Sequence, residues 1–324
     1  MKFVEAINQG LRNYLGSLPK CVVYGQNVAA GSKIGGLARN LENVENIEIV
    51  NSTNSENTLA GFGFGLLLAN VSSCYILKQH DFMLLGMDHW RNTWNMIRSR
   101  EFESRYLVLA PVVDSGYEGP QANLNNLSEF ASIFDCPVYL INSNSSISKV
   151  FRQVKDSPFS IVGVSQKMLK ADIEDHSDIQ NGKLTYSVFH IASNGGDVDN
   201  STDFIISLGF SAKDVFDVVK ERKSISRNLQ VIVSHQLFTS EYCQYLAAEF
   251  REGDKIYLVD DSYTTVGEAA FQKEQIEMNL CVKVSLLKIN VRNQVSRPHS
   301  QKFKEVEEIF GEEIAVNSTR GFMS

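Results

Sequence analysis

Apolar and polar positions along this chain follow two rhythms. Near the start, Val4, Ile7, Leu11 and Leu15 recur at helical spacing, which predicts an amphipathic helix. Short apolar runs then follow at residues 21–24, 47–50, 74–77, 106–109, 138–141 and 160–164. Each has the length of a buried strand, and most are separated by stretches able to form helices. That pattern predicts a parallel sheet covered by helices on both faces.

The rhythm breaks over residues 165–203, where Asp, Asn, Ser and Gly crowd together and SNGGDVDNST occupies 193–202. This stretch is expected to hold a domain linker. Strand-like runs resume at 203–208, 229–233, 256–259 and 282–289, with amphipathic stretches at 212–219 and 240–250 between them. The predicted organisation is a first α/β domain over 1–180, a linker over 181–202 and a smaller α/β domain over 203–324.

The chain has 324 residues, enough for two or three domains, and its 43% hydrophobic content suits a sizeable core. A formal net charge of −7 argues against a nucleic-acid or anionic-membrane partner. Cys21, Cys74, Cys136, Cys243 and Cys281 are scattered and form no C-x-x-C pair. They fit reduced thiols in a cytoplasmic protein and provide no zinc framework. The longest mostly apolar stretch, residues 58–71, is too short and glycine-rich to span a bilayer. The opening MKFVEAINQGLRNYL carries Glu5 and does not read as a signal peptide.

One segment stands apart. In IVNSTNSENTLAGFGFGLLLAN, residues 49–70, Glu56 is the only charged side chain. It lies where a polar turn opens a glycine-rich apolar helix. There a carboxylate is partly desolvated and suited to sharing a proton. The competing reading is an acid favoured by the helix dipole, with Ser55 as its cap. The glycines of AGFGFG imply close approach by a ligand or by another part of the chain. Phe82 lies just past the strand predicted at 74–77, and α/β proteins place ligands at the carboxyl ends of their strands. It could stack on a flat heterocycle or belong to the core.

The ordered set EAINQGLRNYL, VVYGQNVAAG, IVNSTNSENTLAGFGFGLLL, DFMLLGMDHW, GYEGPQ, FIISLGFSAKDVFDVV and KIYLVDDSYTTVGEAAF covers nearly the whole chain. It resembles the transketolase-like thiamine diphosphate enzymes, closest to the β subunit of the decarboxylase component of 2-oxo acid dehydrogenases. The resemblance implies an N-terminal pyrimidine-binding domain and a transketolase C-terminal-type domain. It implies that Glu56 shares a proton with a ring nitrogen of thiamine diphosphate and that Phe82 stacks on the pyrimidine, with Ser55 beside them. No GDG…N motif is found; Gly196-Asp197-Val198 lacks the pattern. In such β subunits a separate α-type chain supplies that motif. The expected assembly is therefore a heterotetramer, with β–β self-association, the cofactor shared across the subunit interface and Mg2+ on the partner.

Two positions depart from the family. Relatives carry a histidine after GPQ or GPT, where this chain has Ala122 beside Gln121. Both are expected to line the substrate cavity. His80 is the candidate to replace the missing proton carrier, and a satisfied structural imidazole is the competing reading. Relatives also read GED or GEE where this chain reads Gly25-Gln26-Asn27, so acids have become amides. His235, after the run at 229–233, could touch substrate in a transketolase-like arrangement, with a surface histidine at a strand end as the default reading, and Asp260 and Asp261 are expected to be a structural or interfacial pair. The implied activity is decarboxylation of a 2-oxo acid with acyl transfer. The alternatives are a split transketolase or acyloin-type synthase subunit, and a non-catalytic partner of an α subunit.

Overall fold

The computed structural model describes residues 1–114, 125–173, 183–193, 199–221, 225, 227–262 and 267–288. Eleven strands among them form two sheets. The first sheet holds β1 (Cys21–Gly25), β2 (Ile47–Asn51), β3 (Ser72–Ile76), β4 (Tyr106–Val112), β5 (Val138–Ile141) and β6 (Phe159–Ser165). The second holds β7 (Tyr186–Ile191), β8 (Asp199–Ser207), β9 (Arg227–Ser234), β10 (Lys255–Asp260) and β11 (Ser285–Lys288). The helices are α1 (Phe3–Gly16), α2 (Glu56–Leu68), α3 (Trp94–Ile97), α4 (Leu127–Phe134), α5 (Asn144–Gln153), α6 (Gln166–Leu169), α7 (Ala212–Glu221), α8 (Glu241–Glu249) and α9 (Glu268–Leu280).

All pairings in the first sheet are parallel, in the order β2-β1-β3-β4-β6-β5. Each of the six runs predicted as strands forms one. Side chains of β1, β3, β4, β5 and β6 alternate between two separate apolar clusters, while the edge strand β2 adds Ile47 and Ile49 to one of them. Tyr24, Tyr75 and Val108 join Phe64 of α2, Trp90 and Trp94 on one face. Val23, Cys74 and Leu107 join Ile7, Leu11 and Leu15 of α1 and Phe151 of α5 on the other. A period of two along the strands, with both faces buried, is what helices on both sides require.

The second sheet runs β11-β10-β8-β9-β7, parallel except for β7, which pairs antiparallel with β9. The expected linker is corrected here. Residues 186–191 within it form β7, and β8 begins at Asp199. The polar flanks dominate the local composition, but Tyr186 and Val188 enter one apolar cluster and Phe189 the other. That alternation makes the segment a strand.

A polar seam joins the two sheets. β5 is an edge strand, and the chain after β9 covers it: Leu140 N–H donates to His235 O at 2.9 Å, and Leu237 N–H to Val138 O at 3.0 Å. Covering an edge in this way removes an exposed pairing surface. His235 is fully buried rather than on the surface, which corrects the expectation from sequence. Its Nδ1 lies 3.0 Å from Asn142 Oδ1 and its Nε2 lies 2.8 Å from Ser187 Oγ. Asn142 in turn donates to Gly209 O at 2.7 Å and Ser234 O at 2.8 Å. Lys167 pairs with Asp214 at 2.6 Å. Asp261 Oδ1 accepts from Asn125 Nδ2 at 3.0 Å and from Phe210 N–H at 3.1 Å.

Candidate functional site

After β1 the chain crosses to β2 on one side of it, then returns to β3 on the other. Connections that diverge from adjacent parallel strands leave a crevice at the strands' carboxyl ends, where α/β sheets bind ligands. Here the crevice lies between the loops following β1 and β3.

Gly25 ends β1 with a φ of +151°, and a Cβ there would lie 2.3 Å from Ile76 O. Only glycine lets this turn lie so close to β3. Asn51 at the end of β2 holds the turn from the other side. Its Oδ1 accepts from Val28 N–H at 2.9 Å and Ala29 N–H at 3.2 Å.

The path from β2 then opens α2 at Glu56, whose side chain is only 8% exposed. Gln26 Nε2 donates to Glu56 Oε1 at 3.1 Å. Sequence reasoning singled out Gln26 as a changed residue but did not foresee this contact. Oε2 has no protein partner among the described residues. The cap expected of Ser55 is absent. Its hydroxyl donates to Thr58 Oγ1 at 2.8 Å and leaves the first turn of α2 without a side-chain cap.

The glycines of α2 have separate roles. A Cβ on Gly63 would lie 2.2 Å from Tyr106 Cζ, and one on Gly61 would lie 2.8 Å from the His89 ring. Both are glycine because neighbouring side chains press against the helix. Gly65 faces open space.

Past β3, a 3₁₀ segment over His80–Gly86 carries Phe82. The ring is half-buried and packs on the apolar cluster that holds Tyr75 and Trp90, so part of it remains exposed. His80 has no exposed surface. Its Nε2 accepts from Asn126 N–H at 3.4 Å, which places the proton of the neutral ring on Nδ1, 3.2 Å from Asp81 Oδ2. Burial pushes the Asp81 carboxyl up to about 7. Asp81 was not foreseen, and its only signal is an acid inside the apolar run around Phe82. The structure therefore brings Glu56 and Gln26 into contact at one side of the crevice and places Phe82 and the His80–Asp81 pair on the loop at the other. Gln121 and Ala122 lie outside the described residues.

Two cavities lie along the seam between the sheets, one of about 40 Å³ and one of about 770 Å³, and neither is lined by Glu56 or Phe82. Among the described residues, no group of three His, Cys, Asp or Glu side chains is placed to hold a metal ion. No described helix is long and apolar enough to cross a membrane.

The two sheets, their order and the crevice define an α/β protein of transketolase-like fold. Among solved structures, the chain is similar to one described as "Split gene transketolase, inactive beta4 tetramer". The TM-score is 0.70 at 13% identity, over 96% of this chain and 97% of that one. No family model and no curated protein matches the chain.

Proposed function

We propose that this chain is the pyrimidine-binding, β-type subunit of a thiamine diphosphate enzyme that cleaves a carbon–carbon bond next to a carbonyl. The observation that carries the reading is Glu56. It is a nearly buried carboxylate at the switch-point crevice, with Oε1 held by Gln26 and Oε2 without a protein partner among the described residues. A ring nitrogen that shares a proton needs one such oriented oxygen, so the residues fit the group. Gln26 fixes the carboxylate's orientation. Phe82, half-buried on the opposite loop, offers the remaining face of its ring to a flat heterocycle. When bound, the cofactor supplies a nucleophilic carbon and an electron sink.

In this reading the diphosphate and its Mg2+ belong to an α-type partner, and the site is complete only in the heterotetramer. The likeness to an inactive β tetramer from a split transketolase supports the view that such a chain self-associates and is inactive alone. Two chemistries fit: decarboxylation of a 2-oxo acid with acyl transfer, and ketol transfer to an aldehyde. The resemblance in sequence favours the first, and the described solved structure favours the second. A third reading, a non-catalytic partner of the α subunit, leaves Glu56 without a use.

Co-expression with an α-type partner tests the proposal. The complex is expected to bind thiamine diphosphate and to turn over either 2-oxo acids with a dye acceptor or ketose donors with aldehydes. A complex that binds the cofactor equally well and stays fully active with Glu56→Gln would refute it.

A further inference from the structure

The larger cavity at the seam is distant from the crevice. Its wall includes β5 and α5, and β5 lies four strands from β1, on the order of 19 Å across the sheet. The other wall comes from residues 183–185 and the start of α8. Three cations, Lys149, Arg152 and Lys183, line it against two carboxylates, Asp156 and Glu241. That balance is positive on a chain whose net charge is −7.

The cations are poorly neutralised. Lys149 is half-buried, and its Nζ donates to two uncharged acceptors, Tyr186 O at 2.7 Å and Ser187 Oγ at 2.8 Å. An ammonium has three N–H groups, so one remains. Burial pulls this amine down to about 8, because the charged form loses solvent there. Arg152 makes no side-chain hydrogen bond or ion pair among the described residues. Among the described residues, Lys183 reaches only Gln244 Oε1, at 3.4 Å. Glu241 is turned to the Thr185 hydroxyl at 2.9 Å.

A half-buried lysine fixed from behind, an unpaired guanidinium and a second ammonium converge on one cleft of about 770 Å³. We infer that this cleft binds a small oxyanion, a molecule carrying a phosphate or carboxylate group. Lys149 is the preoriented donor, and Arg152 and Lys183 close over the charge from the rim. Charge-assisted hydrogen bonds to oxyanions are the strong ones, and a guanidinium matches their geometry. The inference does not depend on the reading of Glu56.

The test uses thermal unfolding of the full chain. Sodium phosphate is titrated against sodium chloride at matched ionic strength, with sodium succinate as a second arm. Wild type is expected to show a saturable rise in Tm with phosphate, succinate or both, the two arms separating phosphate from carboxylate ligands. Arg152 and Lys183 are exposed, so Arg152→Gln and Lys183→Gln should fold normally and weaken the apparent affinity about tenfold each. A rise that does not saturate, that chloride reproduces, or that is unchanged in both variants would overturn the inference. Such a rise reflects general exclusion of salts from the protein surface.

Discussion

The crevice at β1 and β3 and the seam between the two sheets both gather polar side chains, but they treat them in opposite ways. In the seam, His235 is held at both ring nitrogens, and Asn142 is held by two carbonyls and that ring. The protein completes the network itself. In the crevice, Glu56 receives one hydrogen bond from Gln26 and keeps one oxygen for something else. Buried polar groups satisfied from within give a fold its rigidity and specificity. A carboxylate oxygen left over in this way can accept a hydrogen bond from a ligand.

The largest expected effect separates the two regions by activity. Glu56→Gln should lower turnover of the reconstituted complex by about 10²–10⁴-fold, the usual weight of a proton-transferring group. Its urea unfolding curve should match wild type. His235→Ala should do the reverse in stability. It leaves the buried Asn142 Oδ1 without its partner, removes one of the hydrogen bonds at Ser187 Oγ and opens a cavity in the seam, at a cost of about 2–4 kcal/mol by urea denaturation. A stable His235→Ala variant would show that the seam is not a structural fastening.

Within α2, two glycines sharpen the contrast between packed and open surface. Gly63→Ala should cost about 1–3 kcal/mol, because its Cβ meets the Tyr106 ring. Gly65→Ala faces open space and should gain up to about 1 kcal/mol from helix propensity. Equal effects in a denaturant series would show that α2 packs differently from this description.

The smallest effect is in pH dependence. Burial, reinforced by Lys149, holds the imidazole of His235 well below its ordinary 6.5. The unfolded chain then takes up a proton that the folded chain does not, so stability should fall as pH drops below 6.5. Asp81 works in the opposite direction. Its carboxyl rises from an ordinary 3.8 to about 7, so stability should be lost as pH rises through that interval. Asp81→Asn should therefore raise Tm at pH above 7 and lose that advantage in acid. A pH-independent gain in a differential scan would assign the effect to packing.

Much of the fold was legible in the sequence. All six runs read as strands in the first half form the first sheet, and the helical spacing of Ile7, Leu11 and Leu15 marks the buried face of α1. These follow from local periodicity, which one segment carries by itself. β7 was not legible, because polar flanks outweighed the alternation of Tyr186, Val188 and Phe189. Ser55 illustrates the opposite error. Its residue type suits a cap, but its backbone turns the hydroxyl toward Thr58.

The sequence by itself settled the alternation of strands and helices, the apolar setting of Glu56 and the position of Phe82 after β3, since each depends on neighbours along the chain. Only the tertiary structure decided what those residues meet. Gln26 and Glu56 are thirty positions apart, and they touch because β1 and β2 pair in the register Gly25 with Asn51. His235 looked like a surface residue until the chain after β9 closed on the edge of β5. Contacts of that kind depend on strand order and register, which are fixed by packing across the whole molecule rather than by any one segment.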